Sequence, residues 1–319
     1  MNVSSMILNE IAEAVNRENY ERTKAFYEQV LGLDLAGDHV IVKDTPGEAL
    51  MATYLVGPVA VNVMAPTGTI AVTLLRSLEK QGEGLHHICW CIGRRDYWST
   101  LKRFGKFGIR LVDPTGGAAA KASERYTAIY SDPRVTHGVV HEVVVGVVGP
   151  GRVGPNDPVL QFDRPIKKNT PTKTNAIYVN EIDMALSREK FETAKKFYEE
   201  AVGLQCVYEG VVYKGTAAES LMAAYPIGHV SINLLTPTGP NSAILNRSLA
   251  KRTRGLHHTG FYVDSSDMKG IAERCKEQGI RVVGPTGDER WDTHFYTDPR
   301  TMPNRIMHMI SCVPSPKRS

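Results

Sequence analysis

Apolar and polar positions along the first half of the chain switch between two periods. Residues 7–15 read as a short strand. From Tyr20 to Val30 the spacing is helical, with Tyr20, Ala25, Phe26, Tyr27 and Val30 on one side. Gly32 lies just past the end, where a helix stop is expected. Strand-like runs follow at 39–43, 50–56 and 59–64. A second cycle then begins, with a strand at 85–92 and a helix from about Asp96 to Phe107 that Gly108 stops. Its strands fall at 109–112, 125–130 and 138–145, so the order βαβββ occurs twice.

The second half of the chain repeats the first. Residues 9–33 and 180–204 share 13 of 25 positions at an offset of 171. The same offset carries Glu48 onto Glu219, Asn62 onto Asn233, and Leu85-His86-His87 onto Leu256-His257-His258. It also carries Pro114-Thr115-Gly116 onto Pro285-Thr286-Gly287; the offset then falls to 166, where Asp132-Pro133-Arg134 meets Asp298-Pro299-Arg300. One register held this far is a duplication. Proline and glycine collect between the copies, at Pro150, Pro155, Pro158, Pro165 and Pro171, and proline removes backbone donors. The expected layout is a first domain at 1–150, a linker at 151–175 and a second domain at 176–319. Two modules per copy can curl into an open barrel around a cavity, an α+β fold.

Composition narrows the function by exclusion. With 38 Lys and Arg against 34 Asp and Glu the formal charge is +4, and no basic cluster is interleaved with aromatics, so nucleic acid is not an expected partner. No apolar run approaches the length of a membrane span, and residues 1–6 lack the pattern of a signal peptide, so no membrane partner is expected. The five cysteines form no Cys-x-x-Cys, and Cys89 and Cys91 flank Trp90 in an apolar run as core thiols; a reducing cytoplasm fits best.

Three segments carry a family resemblance: FYEQVLGL at 26–33, GEGLHHICWCI at 82–92 and THGVVHEVV at 136–144. They resemble the signature segments of the vicinal oxygen chelate superfamily, with methylmalonyl-CoA epimerases, glyoxalase I and extradiol dioxygenases among its members. The resemblance spans most of residues 7–146 and, through the repeat, 177–312. It implies two tandem glyoxalase-like domains, each an open barrel of two βαβββ modules. It also implies a divalent metal ion (Zn, Mn, Ni, Co or Fe(II)) held by residues of the first, fourth, fifth and eighth strands. Carried over, the first-strand position falls on Glu10 and Glu181, where histidine is usual. The fourth-strand position falls on Asn62 and Asn233, poor ligands expected to line the cavity or bond substrate. The fifth falls on His87 and His258, and the eighth on Glu142 and His308. Because neighbouring strand residues face opposite ways, His86 and His257 are expected to pack, and His141 to face outward. Glu48 and Glu219 resemble a catalytic acid or base of the epimerases. Tyr296 resembles a substrate-binding tyrosine of the dioxygenases, with His294 beside it and Tyr130 at the same place in the first copy.

These sets imply an enzyme acting on a small-molecule substrate, as a monomer or homodimer. The expected chemistry is that of an epimerase, isomerase or lyase passing through a metal-stabilised enediolate. The combination Glu181, His258 and His308 is also that of a non-haem Fe(II) ring-cleaving dioxygenase, and a non-catalytic binding protein is the third alternative.

Overall fold

The computed structural model describes residues 6–93, 96–112, 128–132, 135–136, 138–145, 177–251, 255–284 and 293–312. The Pro-rich stretch between the copies, and Pro114 to Gly116 with their counterparts, lie outside these residues. Each repeat forms one eight-stranded mixed sheet. In the first, β1 (Ile7–Ala14) leads through α1 (Tyr20–Ala25), which continues as a π-helical turn at Phe26–Val30, to β2 (Leu35–Ile41), β3 (Ala49–Val56) and β4 (Val59–Pro66). After α2 (Val72–Gln81) come β5 (Gly84–Ile92), α3 (Tyr97–Lys106), β6 (Leu111–Val112), β7 (Ala128–Ser131) and β8 (Val140–Val145). The second repeat runs β9 (Ile177–Ala185), α4 (Arg188–Lys196) with its π turn at Phe197–Val202, β10 (Tyr208–Val212), β11 (Ser220–Ile227) and β12 (Val230–Pro237). It continues through α5 (Ala243–Lys251), β13 (Leu256–Val263), α6 (Met268–Glu277), β14 (Val282–Val283), β15 (His294–Thr297) and β16 (Met307–Ser311).

The strand order is β2-β3-β4-β1-β5-β8-β7-β6, and the second sheet repeats it as β10-β11-β12-β9-β13-β16-β15-β14. The two βαβββ modules of each repeat therefore meet at the antiparallel seam of their first strands, β1 with β5 and β9 with β13. Each of those strands pairs in parallel with the last strand of its own module. Strands first, fourth, fifth and eighth in sequence thus become the four central neighbours. Both sheets curl without closing, because β2 and β6, and β10 and β14, remain as edges.

Alternation divides each sheet into a packed face and a concave face. Trp90, fully buried, donates from Nε1 to His141 Nδ1 at 2.9 Å on the packed face, so His141 faces away from the concave side as alternation requires and is buried there as a core residue. Helix α2, which the sequence pattern did not reveal, buries Leu74 and Leu78 against Ala12, Ala14, Met51 and Met64, residues of the concave side.

Contacts divide the chain into two compact units that depart from the sequence halves in one detail. Glu21–Leu33 belongs with the second unit and Glu200–Gly203 with the first. Within the second unit the Arg274 side chain donates to Val30 O at 2.8 Å, and within the first Arg103 donates to Ala201 O at 3.0 Å. Each guanidinium sits at a helix C-terminus, where unsatisfied carbonyls attract cations. Gly32 and Gly203 end these helices at φ of 74° and 87°, a region that costs an L side chain about 1–2 kcal/mol. Gly32→Ala and Gly203→Ala are each expected to destabilise by about that amount. Urea unfolding checks it, and unchanged midpoints would contradict the assignment of these glycines as helix stops.

Candidate metal centre

The seam brings the first repeat's candidate residues onto one concave surface. Glu10 and Glu142 stand opposite Cys89 from either side in one cross-strand row, and His87 lies one row along on the same face, opposite Ala12. His87 Nε2 is 3.2 Å from Glu10 Oε1 and 2.9 Å from Glu142 Oε2. The structure therefore gathers Glu10, His87 and Glu142, drawn from three strands far apart in sequence.

Neighbouring side chains orient these three. Tyr130 donates to Glu142 Oε1 at 2.8 Å. Thr53 donates to Asn62 Oδ1 at 2.7 Å, which turns the Asn62 amide nitrogen toward Glu10 as a hydrogen-bond donor. His86 and His87 face each other through their Nδ1 atoms at 2.9 Å, so one ring donates to the other. His86 is thus a hydrogen-bond partner of His87, not only a packing residue. A histidine that ligates through Nε2 carries its proton on Nδ1, and His86 is placed to accept it. The sequence treated Cys89 as a core thiol; it is buried, but it also faces the carboxylates. Burial, then the charges of Glu142 and Glu10, hold this thiol well above its ordinary range.

The second repeat keeps the plan and changes one member. His258 Nε2 lies 3.3 Å from Glu181 Oε1 and 3.3 Å from Asp183 Oδ2. Asn233 donates to Glu181 at 3.1 Å and to Asp183 at 2.8 Å, while Ser231 donates to Asn233 Oδ1 at 2.6 Å. The Nδ1 atoms of His257 and His258 meet at 2.9 Å, as in the first repeat. Asp183, which the sequence reading missed, is the third acidic or imidazole group here. Its signal was present: two carboxylates two residues apart on one strand share a face.

His308 is elsewhere. Residue 142 pairs with 89, whereas in the second sheet the residue opposite Gly260 is Met309 and His308 pairs with Thr259. The turn before the last strand carries one residue more in the second repeat, so an offset of 166 held past it is one residue short. His308 corresponds to His141 and points into the packed face. It is fully buried, stacks on Phe26 at 5.1 Å between ring centroids, and meets Asn304 at 3.3 Å. Burial, then the nearby charge of His258, pushes its pKa down to about 3, as for a neutral core histidine.

Glu48 and Glu219 serve loops. Glu48 accepts from Asp44 N at 2.7 Å and from the Thr67 hydroxyl; Glu219 accepts from Gly215 N at 2.7 Å and from Thr238 Oγ1 at 2.5 Å. These bonds hold both carboxyls below their ordinary range. Tyr296 stands beside His258, ring centroids 5.6 Å apart, as Tyr130 stands beside His87 at 5.9 Å. With no glutamate at 309, its hydroxyl lies 3.4 Å from the Tyr213 hydroxyl. His294 packs against Tyr296 at 5.6 Å, and burial pulls its pKa down.

The donor geometry fits a divalent cation. Ligands of such an ion, at bond lengths of about 2.0–2.2 Å, lie about 3 Å apart when adjacent. The imidazole-to-carboxylate separations here are 2.9–3.3 Å in both repeats. In the metal-free protein protons take the cation's part. Burial, then Glu142, raises Glu10; burial, then Glu181, raises Asp183 to about 7. Burial works against the charged form of His87, but hydrogen bonds to Glu10 and Glu142 outweigh it and raise its pKa to about 9.

Comparison with known proteins agrees with this architecture. Residues 12–128 and 184–297 both match the model of the Glyoxalase/Bleomycin resistance protein/Dioxygenase superfamily. The chain belongs to that superfamily, as a tandem member. Among solved structures, a 4-hydroxymandelate synthase variant from Streptomyces coelicolor superposes with a TM-score of 0.59 at 14% identity, over 95% of this chain and 91% of that one. A 2,2',3-trihydroxybiphenyl 1,2-dioxygenase from Sphingomonas wittichii strain RW1 gives 0.54 at 13% identity, over 96% and 90%. A fusion of a xylose isomerase-like TIM barrel with a 4-hydroxyphenylpyruvate dioxygenase gives 0.63 at 17% identity, over 99% of this chain and 51% of the fusion. Among curated proteins the sequence finds no match. Among the described residues no helix is long and apolar enough to cross a membrane.

The raised pKa values fix a sign. Asp183 binds a proton in the folded state between its ordinary 3.8 and about 7, and His87 does so between 6.5 and about 9. Above about 6.5 folding takes up a proton at His87, so metal-free protein is expected to lose stability as pH rises from about 6.5 to about 9; below that, His308, neutral down to about 3, releases a proton on folding and offsets the uptake at Asp183. Asp183→Asn should remove that offset, so that stability rises with pH between about 4 and 6.5, and should leave the His87 range unchanged. Melting temperatures of chelator-treated protein across this range check it; stability rising with pH between about 6.5 and 9 would contradict it.

Proposed function

We propose that the protein is a divalent-metal-dependent enzyme that moves a proton at a carbon next to a carbonyl group, as an isomerase, epimerase or lyase does. The observation that carries this reading is the composition of the donor sets. Each repeat gathers one imidazole and two carboxylates. Among the described residues the two-histidine, one-carboxylate set of non-haem iron oxygenases is not assembled, because His308 lies on the packed face. An ion held by Glu10, His87 and Glu142 would polarise a carbonyl oxygen and steady the charge that develops when the adjacent carbon loses its proton.

The chain's residues supply the rest. The Glu10 side chain is 14% exposed, against 4% for His87 and 4% for Glu142. Glu181 is likewise the open member of its set, at 15% against 7% for Asp183 and 5% for His258. Glu10 and Glu181 are therefore the carboxylates a substrate can reach, and we assign them proton transfer. Glu142 is held by Tyr130 and serves to position the set. Glu48 and Glu219, first candidates for this role, have their oxygens engaged by loop donors and keep a loop role in this reading. The apolar wall of Ala12, Met51, Met64, Leu74 and Leu78 keeps water from one side of the first site.

The test is solvent exchange. Mn2+-loaded protein with a panel of 2-hydroxy and 2-oxo carbonyl compounds in D2O should place deuterium beside the carbonyl without consuming oxygen. Replacing Glu10 and Glu181 together by Gln should slow that exchange by about 10²–10⁴-fold. Oxygen uptake with ring cleavage of a catechol would overturn the reading in favour of a dioxygenase. Tight binding of a compound without any turnover would overturn it in favour of a binding protein.

A further inference from the structure

We infer that the second repeat holds its metal ion through Glu181, Asp183 and His258, its third ligand having moved from the last strand of the sheet to the first. This rests on the metal-centre reading above and adds a specific placement to it.

The two sheets can be compared row by row. In the first, Glu10, Cys89 and Glu142 form one row across β1, β5 and β8, while Ala12, His87 and Val140 form the next. In the second, the corresponding rows are Glu181, Gly260 and Met309, then Asp183, His258 and Met307. Two exchanges stand out, and they are complementary. A carboxylate is lost where Met309 replaces Glu142, and one is gained where Asp183 replaces Ala12. Both positions adjoin the histidine on the same face. Each set thus keeps one imidazole, two carboxylates and the same formal charge.

The surroundings follow the exchange. The phenol that binds Glu142 in the first repeat has its counterpart in Tyr296, which turns to Tyr213 instead. The amide that serves Glu10 in the first repeat bonds both carboxylates in the second, since Asn233 donates to Glu181 and Asp183. Gly260 makes room for the change. A Cβ there would lie 2.6 Å from the Glu181 Cγ and 3.1 Å from the Met309 Cε, so these two side chains lie over bare backbone where the first repeat has Cys89. The last-strand side of the second site is consequently walled by a thioether and a methyl group.

The test is the number of Mn2+ ions retained by the full chain, read by elemental analysis after dialysis and by the loss of the free-ion electron paramagnetic resonance signal. Wild type should hold one ion in each repeat. Asp183→Asn should lose the ion of the second repeat, and Glu142→Met that of the first. Adding Ala12→Asp to Glu142→Met should restore it, because Ala12 stands where Asp183 stands. That regained ion keeps the test decisive even if Asp183→Asn fails to fold. His308→Gln and Met309→Leu should keep both ions. Full retention in folded Asp183→Asn, loss of an ion in His308→Gln, or no rescue by Ala12→Asp would overturn the placement while leaving a metal centre in force. Full retention in both His87→Ala and His258→Ala would instead remove the metal-centre reading itself.

Discussion

Two carboxylates held against one imidazole, with little water around them, are the constraint on which the rest of each repeat depends. Like charges at this spacing in a buried place cannot both remain ionised unless a cation or a proton stands between them. Proteins do not hold such clusters without support, and the support is visible here in pairs. Asn62 and Asn233 reach the acidic groups, Thr53 and Ser231 fix those amides, and His86 and His257 fix the imidazoles. Tyr130, which bonds Glu142, is the exception, since its counterpart Tyr296 turns to Tyr213.

The sheet order is what makes the cluster possible. No two of strands β1, β4, β5 and β8 are joined by a short turn, yet they are the four consecutive central strands of the first sheet. A residue on the concave side of any of them faces the same space. This is also why a ligand could change strand in the second repeat without disturbing the fold. Residues 183 and 309 approach His258 from the strands on either side of it, so a carboxylate at either position reaches the same imidazole. The fold specifies a place, and more than one pattern of side chains can fill it.

Much of this was legible in the chain. The duplication, the strand and helix periods, the helix-stopping glycines and the convergence of Glu10, His87 and Glu142 all follow from spacing, repeat register and family resemblance. Four features escaped for physical reasons. Helix α2 was missed because its apolar face is narrow, with Leu74 and Leu78 its buried residues. His308 was misplaced because one extra residue in a turn reverses every side chain beyond it in a strand. Asp183 was overlooked because its counterpart is Ala12, and a search guided by equivalent positions does not look for a ligand where the other copy has none. The roles of His86 and His257 depend on ring orientation, which strand alternation does not determine.

Both concave faces are proposed to hold a divalent cation between their carboxylates and their histidine. The most direct measurement is an anomalous difference map from crystals of the full chain grown with Mn2+. One peak is expected among Glu10, His87 and Glu142 and a second among Glu181, Asp183 and His258, with no peak near His308. Peaks confined to other side chains, or no peak at saturating Mn2+, would contradict it.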